Sequence, residues 1–308
     1  MPNSNTNSCM PTLKILADAS PSAGLGHLRR AQKLQKHLAH LNLEACVIAP
    51  HSLADRPLDW LHSDVIEQGD VLIVDSYLAP LSFYHHALTH VKTLIVFEDM
   101  PLNLPADTWV FNPSYGAAQL YFNPSARHFL GCAFMPYERA FQASTKVLKS
   151  IPKTLFVSFG GSVQSLPFYQ QTLEILAHDP LEVHVVLPHA FVQSLPSTRI
   201  NLHTHASLSE IATLMHACDI ALLGAGGMLY EAMLSLTPIL ALSIAPNQAH
   251  QLQTLSKAHA CIPTSLATLL TDLAQCNLEV RECCQAAQRT LGIGHALESS
   301  LREILYGY

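Results

Sequence analysis

The stretch SAGLGHLRR, residues 22–30, sets Gly24 and Gly26 ahead of a histidine and two arginines. Glycines permit a tight turn and let main chain approach a ligand closely. His27 then falls in the first turn of a helix. Its ordinary pKa near neutrality suits a general base, and a positive helix end favours the neutral ring that a base requires. The same residues also read as a turn that simply starts a helix and exposes a histidine. Of Arg29 and Arg30, one is expected to face a cleft and attract an anionic ligand, the other to face solvent.

Two further glycine clusters repeat this grammar. SFGGS, residues 158–162, offers Gly160 and Gly161, whose amides can turn toward a phosphate or a sugar. LLGAGGMLYEA, residues 222–232, runs an apolar segment into Gly224, Gly226 and Gly227 and then into Glu231. Backbone donors there suit a diphosphate, and a glutamate one turn later suits a ribose diol. The alternative is a tight turn with a solvent-facing glutamate. Asn247 and Gln248, in APNQAHQ, would cap a helix facing the same cleft. Asp75 and Tyr77 in VDSYL, and Glu98 and Asp99 in FEDM, could bind sugar hydroxyls, orient His27, or cap loops.

Several chemistries lack their residues. There is no GxSxG elbow, no HExxH and no Walker lysine. Asp-x-Asp is missing too, against a metal-dependent sugar transferase built on one sheet. The first glycine turn is not a full GxGxxG. The 18 histidines, including the pairs at 85–86 and 203–205, read as loop or helix-face residues. No metal site and no cofactor is expected.

These residues need elements to hold them. LKILA (13–17), EACVIA (44–49), VLIVD (71–75) and TLIVF (93–97) are near-continuous apolar runs. Parallel strands covered by helices on both faces read this way. Between the first two, Leu28, Ala31, Leu34, Leu38 and Leu41 recur at helical spacing. TWVF (108–111) and FLG (129–131) are further short strands. After a polar stretch, ERAFQASTKVLKSIPKT, the pattern restarts at TLFVSF (154–159). Strands at EVHVVL, INLH, DIALLG and PILAL then alternate with helices near 167–178, 207–217, 227–236 and from Asn247 onward. The expectation is α/β: two doubly wound Rossmann-like domains facing a cleft, residues 1–150 and 151–308. The final helix is expected to pack back on the first domain.

The 308 residues are 49% hydrophobic and 13% charged, with a formal charge of −6. There is no basic stripe for nucleic acid and no membrane-length apolar run. The polar start, MPNSNTNSCMPT, reads as a loose tail without the apolar core of a signal peptide. Scattered cysteines without CxxC read as reduced thiols, which points to the cytoplasm. Oligomeric state stays open.

ADASPSAGLGHLRRAQKL, VDSY, FED, FGGS, GAGGMLYEA, APNQ and GIGHALESSLREIL together resemble the UDP-sugar hydrolase family of pseudaminic acid biosynthesis, within the two-domain glycosyltransferase-B superfamily. They span nearly the whole chain in the family's order. The resemblance implies metal-independent removal of UDP from a 2,4-diacetamido-2,4,6-trideoxyhexose by water attack at the anomeric carbon. It places the catalytic histidine on His27 and the nucleotide on GAGGMLYEA and APNQ, which carry Gly226, Gly227, Glu231, Asn247 and Gln248; the residue reading adds substrate contacts around Gly26, Asp75, Tyr77, Gly160 and Gly161. The partner is then a UDP-sugar. A glycosyltransferase on this scaffold and a non-catalytic nucleotide-sugar binder are the alternatives. The chain departs from the family's pattern at Leu16, Val163, Phe134, Tyr137 and Glu138, taken as sugar-side positions where specificity would change.

Overall fold

The structure is a computed structural model that describes residues 13–20, 24–69, 71–125, 127–187, 198–204 and 206–307. The polar start with Cys9, residues 21–23 of the first turn, and His205 lie outside them.

The first half builds β1 (Leu13–Ala17), α1 (Gly26–His40), β2 (Ala45–Ala49), β3 (Arg56–Pro57), β4 (Val71–Asp75), α2 (Leu81–Leu88), β5 (Thr93–Phe97), β6 (Trp109–Asn112) and β7 (His128–Leu130). They form a seven-stranded sheet in the order β3-β2-β1-β4-β5-β6-β7, parallel throughout. The apolar runs become strands because helices cover both faces. Ile15 and Ile73 pack on one side with Leu28, Ala31, Leu34 and Leu38 of α1. Leu16, Leu72 and Val74 pack on the other with Trp60 and Tyr84.

The second half builds β8 (Thr154–Ser158), α3 (Leu166–Leu176), β9 (Glu182–Leu187), β10 (Ile200–Thr204), α4 (Leu208–Ala217), β11 (Ile220–Gly224), α5 (Met228–Leu234), β12 (Ile239–Leu242), α6 (Ala249–Lys257), β13 (Ile262–Pro263), α7 (Leu269–Gln275), α8 (Leu278–Thr290) and α9 (Leu297–Tyr306). Its sheet runs β10-β9-β8-β11-β12-β13. The architecture is the expected pair of doubly wound lobes. Both sheets reverse direction beside their first strand, at β1/β4 and β8/β11, and a doubly wound sheet opens a ligand crevice at such a point.

Strand bounds agree with the apolar runs to within about a residue. The two-residue edge strands β3 and β13 and the helix α2 carry no comparable signal. His203 sits on β10 rather than in a loop or on a helix face.

Two segments cross between lobes. Cys132, Met135 and Phe141 pack in the second lobe's core with Met215, Leu229 and Ile293, and Lys146 donates to the carbonyls of Met215 and Cys218. In return, Leu297 and Leu301 of α9 join the core beneath α1. The cysteines among the described residues are free, and no helix there is long and apolar enough to cross a membrane.

Candidate functional site

A cleft of about 720 Å³ opens between the lobes at the carboxyl ends of β1, β4 and β5 on one side and β8, β11 and β12 on the other. Its size suits a small-molecule site. Gly26, His27, Tyr77, Gly160, Gly161, Gly226, Gly227, Asn247 and Gln248 all line it. Asp75 lies under the floor, 2% exposed, in contact with His27. Glu231 is buried and does not line the cleft.

The turn into α1 uses Gly24 at φ +73°, a left-handed conformation that favours glycine, and its N–H donates to Ser20 O at 2.7 Å. Helix geometry then turns His27 inward beside Leu28. Its Nδ1 meets Asp75 Oδ1 at 2.5 Å, and its ring packs edge-on to Tyr77 with centroids 4.3 Å apart. Nδ1–H donates to the carboxylate, which leaves Nε2 as the proton acceptor of the neutral ring. No group among the described residues bonds Nε2.

Electrostatics correct one expectation. A helix N-terminus should favour the neutral imidazole, and burial acts in the same direction, but the adjacent Asp75 carboxylate outweighs them and raises the pKa of His27 above the ordinary value. Burial likewise opposes the charge on Asp75, yet Arg30 and His27 hold its pKa down at about 2.

Arg30 is the arginine that faces the cleft. It grips Asp75 through Nε and Nη2, each at 2.6 Å, and Asp99 Oδ1 through Nη1 at 2.6 Å. Arg29 instead donates to Gln32. The other oxygen of Asp99 accepts from the Tyr77 hydroxyl, which receives Asn247 Nδ2 from the second lobe at 2.9 Å. Asp18 sets the β4 loop by accepting from Ser76 Oγ at 2.8 Å and from Tyr77 N at 2.7 Å. Glu98 accepts from the Tyr121 hydroxyl and from Leu102 N, and burial pushes its pKa up to about 7.

On the facing lobe, Gly160 takes φ +82°, and Gly24 packs against Ser162. The Gly226 N–H is already bonded to Gly224 O at 2.8 Å. No bond to the Gly227 N–H exists among the described residues, which makes it the glycine amide there with capacity to spare. Gln248 Oε1 accepts from Ile244 N at 3.0 Å, which fixes the loop after β12. Glu231 is ion-paired to Lys33 of α1, across the lobe boundary.

Arg30's double grip, Lys33 and Asp18 were absent from the sequence reading. His27, Arg30 and Lys33 are spaced i, i+3, i+6, which puts them on one side of α1, so the first two partners had a signal. The grip itself depends on strands far away in sequence.

For a metal, the described residues bring together His37, His40 and Glu298, whose ligating atoms lie within 4.8 Å of one another. Both Nδ1 atoms meet one oxygen of Glu298, at 2.8 and 3.0 Å. Arg139 stands 3.4 Å from His40 Nδ1 and opposes another cation. The trio clasps α9 to α1, outside the cleft lining.

The departures from the family pattern also fall outside the cleft lining. Leu16 is buried in the first sheet's core, Phe134 packs on Phe111 and Phe129, Tyr137 packs on His37, Glu138 pairs with Lys36, and Val163 is exposed.

No protein-family model matches the chain. It is similar to a Helicobacter pylori (strain ATCC 700392 / 26695) protein described as "Pseudaminic acid cytidylyltransferase and UDP-2,4-diacetamido-2,4,6-trideoxy-beta-L-altropyranose hydrolase", with 28% identity over 306 residues, 95% of this chain and 55% of that protein. The chain thus spans about half the length of the curated relative it matches. Among solved structures, the spinosyn rhamnosyltransferase SpnG superposes with a TM-score of 0.64 at 13% identity, covering 94% of this chain and 100% of that one. A glycosyltransferase from Rickettsia africae ESF-5 gives 0.62 at 14%, covering 97% and 100%. MurG of Acinetobacter baumannii gives 0.60 at 12%, covering 97% and 100%. The fold is that of the two-lobed glycosyltransferase-B proteins.

Proposed function

We propose that this chain hydrolyses a UDP-linked amino-deoxy sugar, a UDP-2,4-diacetamido-2,4,6-trideoxyhexose, to UDP and the free sugar for a sialic-acid-like acid. One observation carries the reading: the His27 imidazole, backed by Asp75 at 2.5 Å, faces the Gly226–Gly227 turn across one cleft. The similarity to the bifunctional relative supplies the substrate class.

In the proposed reaction, water attacks the anomeric carbon as His27 Nε2 takes its proton. The C1–O bond to the diphosphate breaks, and its electron pair leaves with UDP. Asp75 orients the ring and stabilises the imidazolium that forms. Residues 1–150 supply the base and the sugar contacts of Gly26 and Tyr77, with Gly160 and Gly161 closing over the sugar from the second lobe. Residues 151–308 hold UDP through Gly227, Asn247 and Gln248, while Glu231 stays paired with Lys33 of the first lobe. We propose that no metal takes part, because the oxygens of Asp75 and Asp99 are already engaged by Arg30, His27 and Tyr77. The free cysteines favour a cytoplasmic setting.

The test is incubation with this UDP-sugar in ¹⁸O-water, with and without acceptor alcohols. UDP release without acceptor, with label on the sugar and none on UDP, supports hydrolysis at carbon. Release that requires an acceptor makes the chain a transferase. UDP binding without turnover of any UDP-sugar makes it a binding protein.

A further inference from the structure

Arg30 invites an obvious reading, that it waits in the cleft for the nucleotide's phosphates. Its bonds argue otherwise. All three of its donor nitrogens are engaged, two on Asp75 and one on Asp99, at 2.6 Å each. Its side chain is 15% exposed and that of Asp75 3%, so this charge cannot be left to solvent.

A count of charges shows what the arrangement does to His27. Two carboxylates and one guanidinium leave a single negative charge beside a neutral imidazole, and protonating the ring brings the cluster to zero. Without Arg30 the ring would face two uncompensated carboxylates and be held as imidazolium, useless as a base. Without Asp99, Arg30 would neutralise Asp75 alone and the ring would protonate far less readily. The other charged groups on the packed elements have their own partners: Lys33 on Glu231, Asp18 on Ser76 and Tyr77, and Glu98 on Tyr121 and Leu102. From the second lobe, Asn247 brings no charge.

We propose that Arg30 is a positioning residue for the proposed base, dividing its guanidinium between Asp75 and Asp99 so that His27 is oriented and yet remains available as a neutral ring. This rests on His27 being the base of the reaction proposed above. The guanidinium sets the charge around the imidazole and is not a ligand of the diphosphate.

The experiment uses the full chain with ¹³C-labelled histidine. The His27 resonance is identified by its loss in His27→Asn, and its titration is followed by NMR in the free protein. Arg30→Gln should raise the His27 midpoint and Asp99→Asn should lower it, each by about one pH unit or more, as expected for a charge within a few ångströms. The acidic limb of UDP-sugar turnover should move with the midpoint in each variant. UDP affinity, by calorimetry, should change less than about threefold, under 0.7 kcal/mol. Arg30→Lys should restore the midpoint in part. Midpoints that stay put, or move in the same direction in both variants, overturn the proposal, and so does a tenfold loss of UDP affinity in Arg30→Gln with an unmoved midpoint. If Arg30→Gln does not fold, Asp99→Asn decides, since a midpoint that fails to fall is sufficient refutation. The titration needs no substrate. If wild type releases no UDP while the midpoints move in opposite directions, the hydrolase reading fails and the action of Arg30 on His27 stands.

Discussion

Asn247, on the loop after β12, donates to the hydroxyl of Tyr77, on the loop after β4, at 2.9 Å across the boundary between the lobes. Tyr77 in turn packs edge-on against His27 and donates to Asp99. The loop proposed to hold the nucleotide and the ring proposed to accept the proton are therefore two contacts apart. The closed arrangement of the lobes is part of the site, and several consequences can be measured.

His27→Asn should abolish turnover while leaving UDP binding within a few-fold of wild type. A general base contributes roughly 10²–10⁴-fold, and the variant should fall by that order in kcat. In wild type the imidazole must be unprotonated to act. Because Asp75 raises its pKa, the acidic limb of kcat/KM should lie above the ordinary histidine value of about 6.5. Steady-state UDP release across pH checks both points, and full activity in the variant would remove His27 from the mechanism.

The Lys33–Glu231 pair spans the lobes with both side chains largely buried, at 12% and 6% exposure. Removing one partner of a buried pair strands a charge and costs roughly 3–5 kcal/mol, whereas an apolar pair of similar volume can be close to neutral. In urea unfolding, Lys33→Met and Glu231→Leu should each destabilise more than the double variant does. A double variant whose cost equals the sum of the two would show that the charges do not interact.

Gly116 has φ +80°, and a Cβ built on it would lie 2.7 Å from Thr254 Cγ2 and 2.9 Å from Thr254 Oγ1, on α6 of the opposite lobe. Thr254 Oγ1 donates to Tyr115 O there at 3.0 Å. Gly116→Ala thus adds overpacking, roughly 1–3 kcal/mol, to a left-handed penalty of about 1–2 kcal/mol. Gly69→Ala, at φ +87° with nothing within 4 Å of its Cβ, should carry only the second cost. Thermal melts of the two variants should differ accordingly, and equal losses would mean that the interlobe contact yields freely.

Glu98 is buried on the cleft wall, with its pKa pushed up to about 7. A carboxyl that binds its proton more tightly in the fold adds stability below its ordinary value near 4, and this is lost as pH rises through about 7. Glu98→Gln should therefore be more stable than wild type at pH 8, by about 3 kcal/mol, and similar to it at pH 4. Chemical denaturation at the two pH values tests this, and a variant less stable at pH 8 would contradict it.

The sequence alone determined the layering of this protein. A parallel strand buried on both faces must be apolar along its length, so LKILA, VLIVD and TLIVF announced β1, β4 and β5 with their bounds. Glycine clusters at strand ends marked both walls of the cleft, because the left-handed main chain at Gly24 and Gly160 favours a residue without Cβ. The pairings depended on the tertiary structure. His27 and Asp75 are 48 residues apart, Arg30 and Asp99 69, and Tyr77 and Asn247 170. Helical or strand periodicity carries no information over such separations. Glu231 shows the difference most clearly: its spacing after the glycines suggested a ligand facing an open cleft, but closure of the lobes delivered Lys33 to it. A buried carboxylate takes the nearest cation, and which cation that is depends on how the two lobes meet.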